Sequence, residues 1–195
     1  MVIEDISAKD GQILKGLKKI KPKIYNDKRG SFHESWNKKD FAEILGKEIE
    51  FVQDNESTSK IGVLRGLHYQ LKQKPQSKLV RVTQGRIYDV AVDLRQSSDT
   101  FLKWAGIYLD DKLNEQLWIP SGFAHGFLTL SNFAKLNYKV TGYWSSVLEK
   151  TLLWNDSNIN IEWPFDLIDF DQPILSNKDE QGLNLKEIIK KNFVF

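Results

Sequence analysis

Lys78-Leu79-Val80-Arg81-Val82-Thr83-Gln84-Gly85-Arg86-Ile87-Tyr88-Asp89-Val90-Ala91-Val92-Asp93-Leu94-Arg95 carries the pattern that decides the fold class. Two alternating, valine-rich runs flank Gln84-Gly85, which predicts a β-hairpin with strands over 78–83 and 86–95. In the second strand Tyr88, Val90, Val92 and Leu94 share one face, and Asp89, Ala91 and Asp93 share the other. Small and charged residues on that second face mean that it does not pack as a uniformly apolar surface.

Working outward, the same short-strand rhythm continues on both sides. Residues 61–70 read as a strand, and 71–77 as a polar loop containing Pro75. Phe51 to Asn55 is a strand running into polar residues, with the amides of Gln53 and Asn55 on one side. Such amides either read the edge of a base or sugar, or satisfy loop backbone. Asn37 to Gly46 is a short helix: Asn37 caps it, Phe41, Ile44 and Leu45 share a face, and Gly46 ends it. Asn26-Asp27-Lys28-Arg29-Gly30 is a turn, either a plain hairpin corner or an arginine presented near Glu34 to a polar ligand. Residues 12–25 form the extended part of an N-terminal arm, 1–25.

Downstream, Trp104 to Leu109 is a strand, Pro120-Ser121-Gly122 a turn, and Phe123 to Leu130 and Ala134 to Trp144 two further strands. A C-terminal tail, 180–195, carries an amphipathic helix at 184–191 through Leu185, Ile188 and Ile189. Many short strands, glycine and proline turns and few helices predict a single all-β domain, a sandwich or barrel able to hold one ligand.

Composition narrows the chemistry. The 195 residues are 41% hydrophobic, with 28 basic against 26 acidic side chains and a net charge of +2. That balance gives no field for nucleic acid or a membrane surface. Only five of the cations are arginines, so each is informative. The absence of cysteine removes disulfides and thiolate chemistry and fits a reducing, cytoplasmic setting. Met1 to Gly11 has no apolar run, and no stretch approaches the ~20 residues that span a bilayer.

There are three histidines. His33, between Phe32 and Glu34, reads as structural. His68 follows Arg65 and Gly66, and His125 sits between Ala124 and Gly126. Small neighbours leave room for a ligand against either ring, although both also suit satisfied core positions. No His-x-His or His-Glu-x-x-His occurs and the three lie 35 and 57 positions apart, so no metal site is expected. Acid–base work by an imidazole of pKa ~6.5, propped by a carboxylate, fits better. The residues alone do not select that carboxylate.

Five blocks, in order, resemble the dTDP-4-dehydrorhamnose 3,5-epimerase family: Val63-Leu64-Arg65-Gly66-Leu67-His68-Tyr69-Gln70, Lys78 to Val82, Asp89 to Arg95, Trp118 to Phe127, and Leu175-Ser176-Asn177-Lys178-Asp179. The likeness spans roughly residues 20–180, with an insertion near 166–172. It implies a cupin-type jelly roll, a homodimer exchanging N-terminal strands, a nucleotide-sugar substrate and no cofactor or metal. It casts His68 as general base, Asp179 as its orienting carboxylate, Tyr138 as the acid on the opposite sugar face, and Lys78 beside the ketone oxygen. Arg29 and Arg65 match pyrophosphate or sugar contacts, and Glu34, Gln53, Asn55, His125, Glu149 and Lys178 match other substrate-contacting positions. Two positions depart from the family pattern: Tyr143-Trp144 replaces a tyrosine pair, and His33 replaces an aromatic residue. The implied activity is cofactor-independent epimerisation at C3 and C5 of a dTDP-4-keto-6-deoxyhexose. A C3-only epimerase, an epimerase of another NDP-4-keto sugar and, more distantly, a non-catalytic nucleotide-sugar binding cupin are the rivals.

Overall fold

The structure, a computed structural model, describes residues 1–195. Two antiparallel sheets face one another. The first holds β1 (Val2–Ser7), β2 (Ile13–Lys21), β10 (Gln116–Ile119), β7 (Lys78–Gln84), β12 (Phe133–Val140) and β5 (Gln53–Lys60), in that spatial order. The second holds β13 (Glu149–Thr151), β6 (Leu64–Gln70), β11 (Phe123–Thr129), β8 (Arg86–Asp93) and β9 (Trp104–Asp110). A separate ribbon, β3 (Ile24–Asp27) and β4 (Gly30–His33), pairs only with itself.

The deciding stretch does form two strands, but not a hairpin. β7 joins the first sheet and β8 the second, so Gln84-Gly85 turns the corner of the sandwich. Gly85 has φ +84°, and a Cβ there would sit 2.2 Å from the Phe133 carbonyl oxygen. The close approach of residues 131–134 leaves no room for a side chain at this corner, and the strands find their ladders elsewhere. The predicted alternation survives: Tyr88, Val90, Val92 and Leu94 enter one core, while Ile87 and Ala91 enter another.

Three apolar clusters result. One fills the space between the sheets, built on Val80, Val82, Leu117, Ile119, Phe123, Phe127 and Leu136. A second lies outside the second sheet, under Trp154, Ile159, Trp163, Leu185, Ile188 and Val194 of the C-terminal segment. A third lies outside the first sheet, where α1 (Lys38–Leu45) seats Phe41 against Leu79 and Trp118. The Asn37 side chain caps α1, and Gly46 ends it in the left-handed region at φ 65°, as its sequence predicts.

The extended residues 12–25 of the N-terminal arm form β2 and the start of the β3–β4 ribbon. β1 and β2 are built into the first sheet, with β2 paired to β10; only the β3–β4 ribbon stands apart. β1, Val2-Ile3-Glu4-Asp5-Ile6-Ser7, breaks its apolar alternation at the adjacent acids Glu4 and Asp5, which hides it as a strand. The C-terminal helix α3 (Leu185–Lys190) closes with an Asn184–Glu187 capping box, burying Leu185 and Ile188 but leaving Ile189 46% exposed. A 3₁₀ turn, Phe165–Leu167, leads into the 166–172 insertion, which lays Phe170 against Gly62.

Candidate active site

β6 builds the site through a bulge. On β11, His125 and Phe127 are two apart; their partners on β6, His68 and Arg65, are three apart. The extra residue turns both Arg65 and His68 to the space between the sheets, while Leu64, Leu67 and Tyr69 face the outer core. A regular strand would put Arg65 and His68 on opposite faces. Gly66 permits the bulge with φ +120°: a Cβ would meet the Gly126 Cα at 2.6 Å and the His125 carbonyl at 2.7 Å. At Gly66 the missing side chain therefore makes room for backbone.

His68 and His125 are cross-strand partners on one face of the second sheet. Facing them across a cavity of about 420 Å³ is the inner surface of the first sheet. That surface supplies Gln53, Asn55 and Ser57 from β5, Lys78 from β7 and Tyr138 from β12. Arg65, Trp144, Glu149 and Lys178 complete the polar rim. Tyr138 lies between Asn55 and Val80 in the ladder, so its phenol opposes the imidazole from the other sheet.

His68 Nε2 lies 2.6 Å from Asp179 Oδ1, a partner 111 positions away, on the short helix α2 (Asn177–Glu180). Ser176 caps α2 and donates its hydroxyl to Asp179 Oδ2 at 2.7 Å. Burial pushes the Asp179 carboxyl up, but the bonds from His68 and Ser176 outweigh it and hold it below the usual carboxylate range. Lys78 is buried, and its ammonium donates to the His68 carbonyl at 3.2 Å. Burial pushes it down to about 8, against the pull of Glu149 and Asp89. Burial and the nearby Glu149 raise the Tyr138 phenol, with Arg65 pulling the other way.

A second pair sits deeper. His125 Nε2 is 2.9 Å from Asp89 Oδ1, a diagonal contact between β11 and β8 on the face that also carries Ala91. Burial pushes His125 down, Asp89 opposes this and Lys78 adds to it. Along the rim, Lys178 pairs with Glu149 at 2.6 Å, and the Trp144 indole donates to the same carboxylate at 3.0 Å. Burial raises the Glu149 carboxyl, but these two partners hold it below its usual range. Gln53 donates to Asn55 at 2.7 Å and accepts the Trp144 backbone N–H at 3.3 Å.

Nine of the twelve residues singled out in the sequence thus line one cavity: His68, Tyr138, Lys78, Gln53, Asn55, Arg65, His125, Glu149 and Lys178. Asp179 stands directly behind His68. Arg29 and Glu34 are elsewhere: Arg29 is on the β3–β4 ribbon, paired with Asp27, and Glu34 is exposed beyond β4. His33 is half-buried, its imidazole pushed down by burial and by Arg81. Asp89, Ser57, Gln76 and Ser176 escaped the sequence reading as site residues. Ser57 continues the Gln53–Asn55 alternation, and Ser176 stands three before Asp179 in a capping pattern, so both left a signal. Asp89 left only its place on the charged face.

A jelly-roll sandwich of the cupin type whose open end holds a carboxylate-propped imidazole opposite a phenol has groups suited to acid–base work. Comparison with known proteins narrows the class. The dTDP-4-dehydrorhamnose 3,5-epimerase profile matches residues 12–187. The enzyme of that name from Shigella flexneri is 52% identical over 163 residues, covering 84% of this chain and 87% of its own. The structure of dTDP-6-deoxy-D-glucose-3,5-epimerase from Legionella pneumophila, in complex with dTDP-4-keto-L-rhamnose, superposes with a TM-score of 0.87 at 42% identity, covering 99% of this chain and 97% of that one. ChmJ, a 3'-monoepimerase from Streptomyces bikiniensis in complex with dTDP-quinovose, gives 0.85 at 29% identity, covering 92% and 88%. The chain belongs to the dTDP-4-dehydrorhamnose 3,5-epimerase family.

Proposed function

We propose that this enzyme converts dTDP-4-dehydro-6-deoxy-D-glucose to dTDP-4-dehydro-L-rhamnose by inverting C3 and C5, with His68 as base and Tyr138 as acid. The observation that carries the assignment of roles is the 2.6 Å His68–Asp179 contact behind a cavity that Tyr138 faces from the opposite sheet. The C3 and C5 hydrogens flank the C4 ketone, so removing either leaves an enolate with its charge on the ketone oxygen. Asp179 holds the Nε2 proton of His68 and leaves Nδ1 to take the carbon-bound proton. The Lys78 ammonium, shielded from water, stabilises the developing oxyanion. Tyr138 returns a proton to the other face, which inverts the centre, and its raised pKa keeps it protonated for that task.

Arg29 and Glu34 enter this reading through a homodimer. The β3–β4 ribbon pairs with no other strand, and exposes Tyr25 at 54% and Phe32 at 69%. Docked on a second copy, it carries both polar residues to the partner's cavity. Turnover in deuterated water tests the activity: deuterium at both C3 and C5 is the expected result, deuterium at C3 alone makes this a monoepimerase, and none makes it a binder.

A further inference from the structure

We infer that Ser59 is a positioning residue for anion recognition: its buried hydroxyl locks the Arg65 guanidinium so that the free edge meets the substrate's diphosphate. This rests on reading Arg65 as a diphosphate contact. Arg65 has no carboxylate partner among the ion pairs of the chain, and its head is exposed at the rim of the cavity. An arginine so placed is free to sample many rotamers, and ordering it on binding costs affinity.

The structure removes that freedom from one side. Ser59 is 3% exposed and lies on β5, on the same strand face as Gln53, Asn55 and Ser57. Its Oγ accepts the Arg65 Nε–H at 2.9 Å. The Thr58 carbonyl accepts one Nη2 proton at 3.3 Å. Two anchors on one side of a planar fork fix its orientation. Both Nη1 protons and one on Nη2 remain without a protein acceptor, and these suit the bidentate capture of phosphate oxygens. The bulge at Gly66 is what brings Arg65 within reach of β5, so the anchor and the site share one cause.

Binding of dTDP and of thymidine to wild type, Ser59→Ala, Ser59→Thr and Arg65→Ala, by calorimetry, tests this. In Ser59→Ala, dTDP affinity falls about tenfold, the factor that one hydrogen bond to a charged group carries. Thymidine affinity stays within twofold, and Ser59→Thr restores dTDP binding. With substrate, KM rises more than kcat falls. Equal losses for thymidine and dTDP, or an unchanged dTDP affinity in Ser59→Ala while Arg65→Ala loses it, overturn the role of Ser59. An unchanged dTDP affinity in Arg65→Ala instead overturns the reading of Arg65 on which it rests.

Discussion

Two histidine–aspartate pairs stand side by side in this molecule, and they are not equivalent. His68 and Asp179 join a strand to a helix at the mouth of the cavity, with the imidazole side chain 25% exposed. His125 and Asp89 join two adjacent strands, with the imidazole 7% and the carboxylate 0% exposed. The chemical groups are the same; the surroundings are not. Burial and the neighbouring Lys78 hold His125 neutral, whereas His68 has both a proton-holding partner and an open side. On the proposed reading, a propped imidazole serves as a base only where its second nitrogen can reach a ligand. The deeper pair is suited to fixing the cavity floor.

Substituting each histidine tests that contrast most strongly. We expect His68→Asn to lower kcat by roughly a thousandfold or more, near the upper part of the range for general-base removal, with dTDP affinity retained. His125→Asn costs roughly ten- to a hundredfold, and also lowers Tm because it disturbs the buried Asp89. Equal kinetic losses in the two variants would falsify the distinction.

Asp179→Asn ranks next, at about a hundredfold in kcat, because an amide holds the wrong tautomer. A stability signature accompanies it. The folded-state pKa of Asp179 is depressed, so its contribution is present above the ordinary carboxylate range and is lost as pH falls below about 3.8. A Tm-versus-pH curve that keeps its acid limb unchanged in the variant would show that Asp179 is not the group responsible.

Lys78 sharpens the comparison from between the pairs. Its folded-state pKa of about 8 lies below the 10.5 of the unfolded chain. The unfolded state therefore binds more protons at this group across that window, and the contribution of Lys78 to stability becomes less unfavourable as pH climbs from about 8 to 10.5. Lys78→Met removes this contribution and, by removing a buried charge, stabilises the fold at pH 7 while lowering kcat by roughly a hundredfold. Denaturant unfolding at pH 7 and pH 10.5 measures it, and a methionine variant less stable than wild type at pH 7 contradicts it. The smallest effect on proton exchange belongs to Tyr138→Phe: deuterium still washes into C3, but completion of the inverted product is impaired. Normal product from that variant removes Tyr138 from the acid's position.

Much of the scaffold was legible because it is local. The α1 helix from Asn37 to Gly46, the turn at Asp27 to Gly30, and the alternation of Tyr88, Val90 and Val92 all follow from neighbours within a few residues. Resemblance supplied the roles of Asp179, Lys78 and Tyr138, which no spacing yields, since the contact between His68 and Asp179 closes over 111 positions. Composition concealed β1, and the sequence assigned the β7–β8 turn to the wrong kind of connection.

The sequence by itself determined which segments extend, where they turn, and which face of each strand is apolar. Those are properties of one chain's steric preferences and of a two-residue repeat. Only the tertiary structure decided that β7 and β8 part company, that one extra residue in β6 turns Arg65 and His68 to the same side, and that each histidine meets its own aspartate. Apolar alternation is satisfied equally by either choice of strand partner. What selects between them is the closing of two sheets over a shared core, where backbone crowding at Gly66, Gly85 and Gly126 leaves one arrangement that fits.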